Sequence, residues 1–207
     1  MKVLLFNGSP NAQGCTYTAL KMVANTLEDE GIETEIIQLG TAPIGGCLGC
    51  GFCRMGDRLC VQKDIVNEIL PKLDEADGFV FGSPVHFAGA SGALTSFMDR
   101  LFYAGGSKFR LKPAAAVVSA RRGGTTATFD QINKYFTIRE MPVVSSQYWN
   151  MVHGNTPEEV MQDEEGLQTM RVLARNMAYL LRCMAVARAA GIPLPKQEPK
   201  AVTNFIR

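Results

Sequence analysis

The stretch that most constrains the fold of this chain is its first thirty residues. Lys2-Val3-Leu4-Leu5-Phe6 is a short apolar run, followed by Asn7-Gly8-Ser9-Pro10-Asn11-Ala12-Gln13-Gly14-Cys15-Thr16. From Thr16 onward Leu20, Val23, Ala24 and Leu27 recur at helical spacing, and Gly31 ends the pattern. A continuous apolar run of this length reads as a buried parallel strand. Two glycines, a proline and small polar side chains then break it into a loop. Strand, loop and helix start leave free N–H groups and the positive end of a helix dipole at one spot, which suits an anion. Ser9, Thr16 and Thr18 add hydroxyls there. The Gly-Lys-Ser/Thr ending of a P-loop is missing, as is the G-x-G-x-x-G spacing of a dinucleotide fold. A cofactor carrying one phosphate fits better than either, and an ordinary strand–helix turn without a ligand is the plain alternative.

The rest of the chain repeats the alternation. Strands are predicted at 33–39, 77–82, 113–119 and 141–145, and helices at 91–103 and 126–137. Asp64 caps a further helix, which Pro71 interrupts. Such alternation implies a parallel sheet with helices on both faces. Ligands of these sheets bind beyond the carboxyl ends of the strands. Three loops rich in Gly, Ser, Thr and Pro fall there, at 7–16, 82–91 and 119–125. A long amphipathic helix over 163–190 puts Leu167, Met170, Leu173, Ala174, Met177, Leu180, Leu181 and Met184 on one stripe, with Cys183 counted in the core. Residues 1–190 thus read as one domain with a cysteine-rich loop at 43–62. Residues 191–207, with Pro193, Pro195 and Pro199, read as an extended tail.

A length of 207 residues suits one α/β domain. With 21 basic and 20 acidic side chains, the net charge of +1 points to neither nucleic acid nor an acidic membrane surface. No apolar run approaches the roughly 20 residues of a membrane span. The first residues carry no leader pattern, so a cytoplasmic protein is expected. Four of the six cysteines fall between positions 47 and 60, and in a reducing compartment metal ligands or redox groups are expected before disulfides.

Together these loops resemble those of the flavodoxin-fold NAD(P)H-dependent FMN reductases, and most of all their iron–sulfur flavoprotein branch. The motifs are Asn7-Gly8-Ser9-Pro10 with Gly14-x-Thr16, Gly82-Ser83-Pro84-Val85-His86, Leu94-Thr95-Ser96-Phe97-Met98-Asp99-Arg100, Ser119-Ala120-Arg121-Arg122-Gly123-Gly124, and Tyr148-Trp149-Asn150-x-x-His153-Gly154. The resemblance covers about residues 1–185. It implies a flavodoxin-like, doubly wound sheet of five parallel strands in the order 2-1-3-4-5. It also implies that Ser9, Cys15, Thr16 and Tyr17 hold the FMN phosphate, that Pro84, Val85, His86 and Phe87 line the isoalloxazine ring, and that Ala120, Arg122, Gly123 and Gly124 meet its pyrimidine edge. On that placement, Gly124→Val is expected to abolish flavin binding and leave a folded apoprotein. Asn11 and Cys15 stand where the family commonly has a basic residue and Asn, which shifts phosphate binding toward backbone amides and hydroxyls. His86, where the family often has Tyr, adds a titratable group near the ring and is the candidate catalytic side chain. Asp99 and Arg100 are expected to form a structural ion pair, and Cys15 to be a thiolate favoured by the helix dipole.

Cys47-x-x-Cys50-x-x-Cys53 followed by Cys60, threaded with glycines, resembles sequences that ligate a [4Fe–4S] cluster. Thiols without a cluster, or a redox disulfide, are the alternatives. The leading functional reading is an FMN oxidoreductase taking hydride from NAD(P)H and passing electrons to a small acceptor such as a quinone, nitro compound or flavin. The second is an iron–sulfur flavoprotein electron carrier reduced by ferredoxin, and the third a flavin- or metal-binding module without turnover. The Tyr148-Trp149 segment and the apolar terminal helix point to a homodimer or homotetramer.

Overall fold

Alternate side chains of the first strand face opposite ways, and this divides the core in two. The structure, a computed structural model, describes residues 1–56 and 59–203; Asp57 and Arg58 of the cysteine-rich loop and the last four residues of the expected tail lie outside the described residues. Strand β1 (Lys2–Asn7) sends Leu4 and Phe6 into one hydrophobic cluster and Val3 and Leu5 into the other, all fully buried. It pairs in parallel with β2 (Glu33–Gln38) on one side and β3 (Gly78–His86) on the other. A two-residue β4 (Gly89–Ala90) folds back antiparallel on the end of β3. Strand β5 (Ala114–Ala120) lies beside β3, and β6 (Met151–His153) beside β5. The order is β2-β1-β3-β5-β6. Without the β4 stub this is the expected 2-1-3-4-5 arrangement of a flavodoxin-like sheet.

Helices α2 (Ile65–Ile69), α3 (Gly92–Gly105) and α4 (Thr125–Thr137) cover the face of Leu4 and Phe6. That face is aromatic: Phe6 stacks on Phe81 at 4.7 Å between centroids, and Phe102 on Phe109 at 4.3 Å. Pairs like these contribute about 0.5–1.5 kcal/mol beyond their buried area. Helices α1 (Cys15–Asp29), α5 (Pro157–Val160) and α6 (Glu164–Ala189) cover the other face. There Ala19, Ala24, Ala174 and Ala178 keep the packed surfaces of α1 and α6 low.

Three expectations change, and the expected interruption at Pro71 takes a definite form. The fifth parallel strand is Met151–His153, not 141–145, where a single bridge from Val143 to Ala114 touches the sheet. Pro142 has no N–H to donate, and residues 145–149 leave the sheet edge before pairing resumes at Asn150, whose carbonyl accepts from the Val118 N–H. The loop expected from residue 83 is strand as far as His86, because β5 keeps pairing with it through Pro84 and β4 closes a hairpin on it. Pro71 ends α2 by turning the chain into a short 3₁₀ helix, Leu70–Leu73. Cys183 is exposed, because α6 leaves the core after Leu181 and its last turns overhang the body. No helix among the described residues is long and apolar enough to cross a membrane.

Asp163 joins the last strand to the last helix. Its carboxylate accepts from the Gly166 N–H at 2.9 Å as the α6 cap, and from the His153 N–H at 2.6 Å. Asp163→Ala removes both acceptors and is expected to cost about 1–3 kcal/mol in urea unfolding. Asp163→Asn, which keeps acceptor oxygen, should recover part of the loss.

Candidate functional site

The three loops at the carboxyl ends of the strands meet. Ser91 Oγ donates to the Gly8 carbonyl at 2.7 Å, and the Gly8 N–H donates to the Gly82 carbonyl at 2.8 Å, joining the first loop to the second. Thr16 and Ser119 share a buried hydroxyl–hydroxyl bond of 2.8 Å, joining the first to the third. Gly124, at the start of α4, lies against Val85 and Ala88 of the hairpin. Gln131 Oε1 then accepts from the Ala90 N–H at 2.8 Å.

Two of the helix starts around this rim differ from the others. Helices α2, α3, α5 and α6 are capped by the side chains of Asp64, Ser91, Thr156 and Asp163. Helices α1 and α4 start from Gly14 and Gly124, and no side chain caps either one. First-turn N–H groups need an acceptor from a cap, water or a ligand. Both uncapped helices follow strands that end at this rim, so their amides and dipoles converge on it. Ser9 and Thr16 are buried beside them, and Cys15 and Tyr17 are half-buried.

Pro84 and Val85 are half-buried on β3, and His86 is exposed at its end. Phe87 and Ala88 form the two-residue hairpin tip with φ of 51° and 58°. A turn with both central residues left-handed ordinarily uses Asn-Gly. Two ordinary side chains there hold strain of about 1–3 kcal/mol each, and the Phe87 ring is fully exposed at the tip. Ala120 is half-buried at the end of β5, while Arg121, Arg122 and Gly123 are exposed. Among the described residues neither arginine makes an ion pair. Gly124 has φ 92°, and a Cβ there would sit 2.9 Å from Ala88 Cα and from Val85 Cγ1. Gly124→Val therefore strains the protein itself, contrary to the clean loss of ligand expected of it. Gly123 faces open space.

The cysteines line one cavity of about 140 Å³, with Arg54, Arg100 and Tyr103 in its wall. None of Cys47, Cys50, Cys53 and Cys60 is in a disulfide. Gly49 and Gly51 take φ of 63° and 69°, which lets the backbone curl around the space. Burial pushes the Cys53 thiol up, and negative charge on Cys60, Cys47 and Cys50 pushes the same way. To act as ligands together, four cysteines lining one hollow would have to be thiolates around a cationic core. No three Cys, His, Asp or Glu side chains among the described residues close on one point, as a single ion would require. A [4Fe–4S] core takes its four thiolates at separate corners, and a cavity lined by four cysteines fits that demand.

Arg100 does not pair with Asp99. It is 1% exposed and grips Asp64 through both carboxylate oxygens, while Asp99 accepts from the Tyr135 hydroxyl at 2.5 Å. Burial works against the Arg100 charge, but bonds to Asp64 and Cys60 outweigh it and hold its pKa above the ordinary value. Burial and then Asp99 push the Tyr135 hydroxyl far up. The sequence pointed to Arg100, Asp64 and Cys60 separately, and their partnership is what it did not reveal. The available signal was a lone cation between Phe97, Met98, Leu101 and Phe102 on an otherwise apolar helix face.

Cys15 departs from its expected state. Its Sγ contacts the Gly154 carbonyl at 3.6 Å, and burial, with Glu159 and Glu158 adding to it, pushes its thiol up. A raised pKa means less thiolate at any given pH. At pH 8, peptide-mapped alkylation of Cys15 by iodoacetamide is expected to be slower in the folded protein than in the urea-unfolded chain, and the gap should narrow as pH rises.

With this geometry in hand, the comparisons are informative. Residues 1–156 match the family described as NADPH-dependent FMN reductase. An iron–sulfur flavoprotein of Methanocaldococcus jannaschii is 36% identical over 190 residues, covering 88% of this chain and 98% of that protein. One from Archaeoglobus fulgidus is 34% identical over 197 residues, covering 91% and 96%. Among solved structures, a flavone reductase superposes with a TM-score of 0.69 at 18% identity, covering 89% of this chain and 64% of that one. An archaeal flavodoxin gives 0.59 at 16% identity, covering 88% and 99%. At such identities these two speak for the flavodoxin-like fold alone. The chain belongs to the NADPH-dependent FMN reductase family, in its iron–sulfur flavoprotein branch.

Proposed function

We propose that this flavin-dependent oxidoreductase binds FMN at the rim and a [4Fe–4S] cluster on Cys47, Cys50, Cys53 and Cys60, and moves electrons between a one-electron carrier such as ferredoxin and a small acceptor. The observation that carries the flavin placement is the pair of helices, α1 and α4, whose starts lack a side-chain cap and converge on one rim. The α1 amides around Cys15 and Thr16, with the hydroxyls of Ser9, Thr16 and Tyr17, would hold the phosphate. Pro84, Val85, His86 and Phe87 would line one side of the ring. Ala120, Arg122, Gly123 and Gly124 would meet its pyrimidine edge, where fixed N–H donors and a guanidinium suit negative charge. FMN, when bound, supplies both hydride and single-electron chemistry. His86, exposed at the end of β3, would be the side chain that gives or takes a proton beside the ring.

The cavity ringed by four cysteines ranks the electron carrier above a plain nicotinamide-dependent reductase. Hydride transfer from NAD(P)H to the same flavin is the second reading, favoured by Arg121 and Arg122, which are exposed beside the rim and make no ion pair among the described residues. The exposed Tyr148 and Trp149, with ring centroids 5.2 Å apart, offer an aromatic contact for a second copy in a homodimer or homotetramer.

Two experiments test these assignments. Gly123→Val should leave the apoprotein's unfolding free energy within about 0.5 kcal/mol. It should weaken FMN binding at least tenfold, or about 1.4 kcal/mol. An unchanged FMN titration would remove the third loop from the site. In the second, anaerobic protein is assayed for iron and sulfide, then its visible spectrum is followed with reduced ferredoxin or NADPH. Close to four irons and four sulfides per chain, with bleaching by ferredoxin only, is the expected result. Rapid bleaching by NADPH would establish the second reading, and protein without iron would remove the cluster.

A further inference from the structure

Among the described residues no charged side chain is as deeply buried as Arg100. An Asp64 pair alone would use only the outer two nitrogens of its guanidinium. Those nitrogens reach further, to the Gly45 carbonyl at 3.3 Å and the Gln62 carbonyl at 3.0 Å, on either flank of the cysteine run. The inner Nε–H donates to Cys60 Sγ at 3.4 Å. A neutral thiol is a weak acceptor, whereas a charged acceptor makes a markedly stronger bond with a cation. Cys60 is also held by its backbone, for Asn67 accepts from its N–H and donates to its carbonyl, both at 2.8 Å. Cys47 and Cys50 are exposed, and nothing comparable grips them among the described residues. Cys53 has its own backbone N–H as a donor, but among the described residues Cys60 alone of the four has a cationic side chain donating to its sulfur.

We propose that Arg100 is a positioning residue for the cysteine site: its Nε–H fixes Cys60 Sγ and draws negative charge from it, so that a cluster ligated there is easier to reduce. This rests on the cluster reading given above. Hydrogen bonds to ligand sulfurs are among the terms that set the potential of such clusters, and partners behind the ligands tune them. A purely structural arginine would hold the loop and leave the potential alone.

The test uses the whole chain, reconstituted anaerobically with ferrous iron and sulfide and labelled with ¹⁵N in arginine only. Pulsed EPR of the reduced wild-type protein should show a ¹⁵N coupling, and Arg100→Lys should lose it. Arg100→Lys keeps the positive charge without the Nε donor, and its midpoint in an EPR-monitored redox titration should move to a more negative potential. Asp64→Asn breaks the ion pair and leaves the Nε–H in place, so it should lower stability and hold the midpoint near that of wild type. Wild-type protein that takes up no iron overturns the cluster reading, and this inference with it. Loaded wild-type protein without an arginine coupling overturns this inference alone, even if Arg100→Lys fails to fold. A loaded Arg100→Lys with an unmoved midpoint, or a midpoint shift in Asp64→Asn, also overturns it.

Discussion

A guanidinium cannot be buried unless its donors are answered, and around Arg100 that demand shapes a large part of the molecule. Removing one partner of such a buried pair costs about 3–5 kcal/mol. The acceptors come from the start of the cysteine loop and from its end, where Gln62 runs into the α2 cap Asp64, so one side chain of α3 ties the two ends of the loop together. Among the described residues the loop is tied by bonds to Arg100 and Asn67, by Gln62 to the Gly46 carbonyl and by Arg54 over the Tyr103 ring. Helix α3 links that hub to the rim. Its cap, Ser91, is bonded to the Gly8 carbonyl, and Arg100 lies nine residues further on, about 14 Å along the helix axis. The cysteine cavity and the rim are therefore held by one rigid element.

The rim follows a different logic. The other α-helices among the described residues are closed by Asp, Ser or Thr, which satisfies their first-turn amides locally. At α1 and α4 glycine takes that place and leaves amides open. The hairpin beside them holds two left-handed residues without glycine, kept there by α4 pressing on Ala88 and by Gln131 holding the Ala90 N–H. Unspent donors and stored strain lie together at the ends of β1, β3 and β5, where a parallel sheet presents its loops. Strain of this kind persists only where surrounding packing over-determines it, and it clusters where a ligand is gripped. The flavin role proposed for this rim supplies a reason for both.

Much of this was legible in the sequence. The apolar run of β1, the Asp64 cap and the α6 stripe depend on neighbours within one or two turns, so periodicity and capping chemistry reveal them. The motifs of the three rim loops were legible for the same reason, as each follows a strand directly. The fifth strand was not, because 141–145 has strand-like composition and yet Pro142 and the edge of β5 let only one bridge form. Cys183 looks like a core position by spacing alone, but α6 outlasts the body it packs on. Cys15 shows the same limit: the helix dipole acts locally, whereas the burial and the two glutamates that outweigh it come from α5 and its surroundings.

By itself the sequence determined the alternation of elements, the two-faced sheet and the loops that reach its rim, because those follow from local periodicity and from the twist and handedness of L-residue chains. Only the tertiary structure decided that Arg100 turns to Asp64 and Cys60 rather than to Asp99, that four cysteines share one hollow, and that two helices meet the rim uncapped. Such pairings join residues tens of positions apart. They exist because a buried donor must find an acceptor somewhere, and nothing in the local pattern says where.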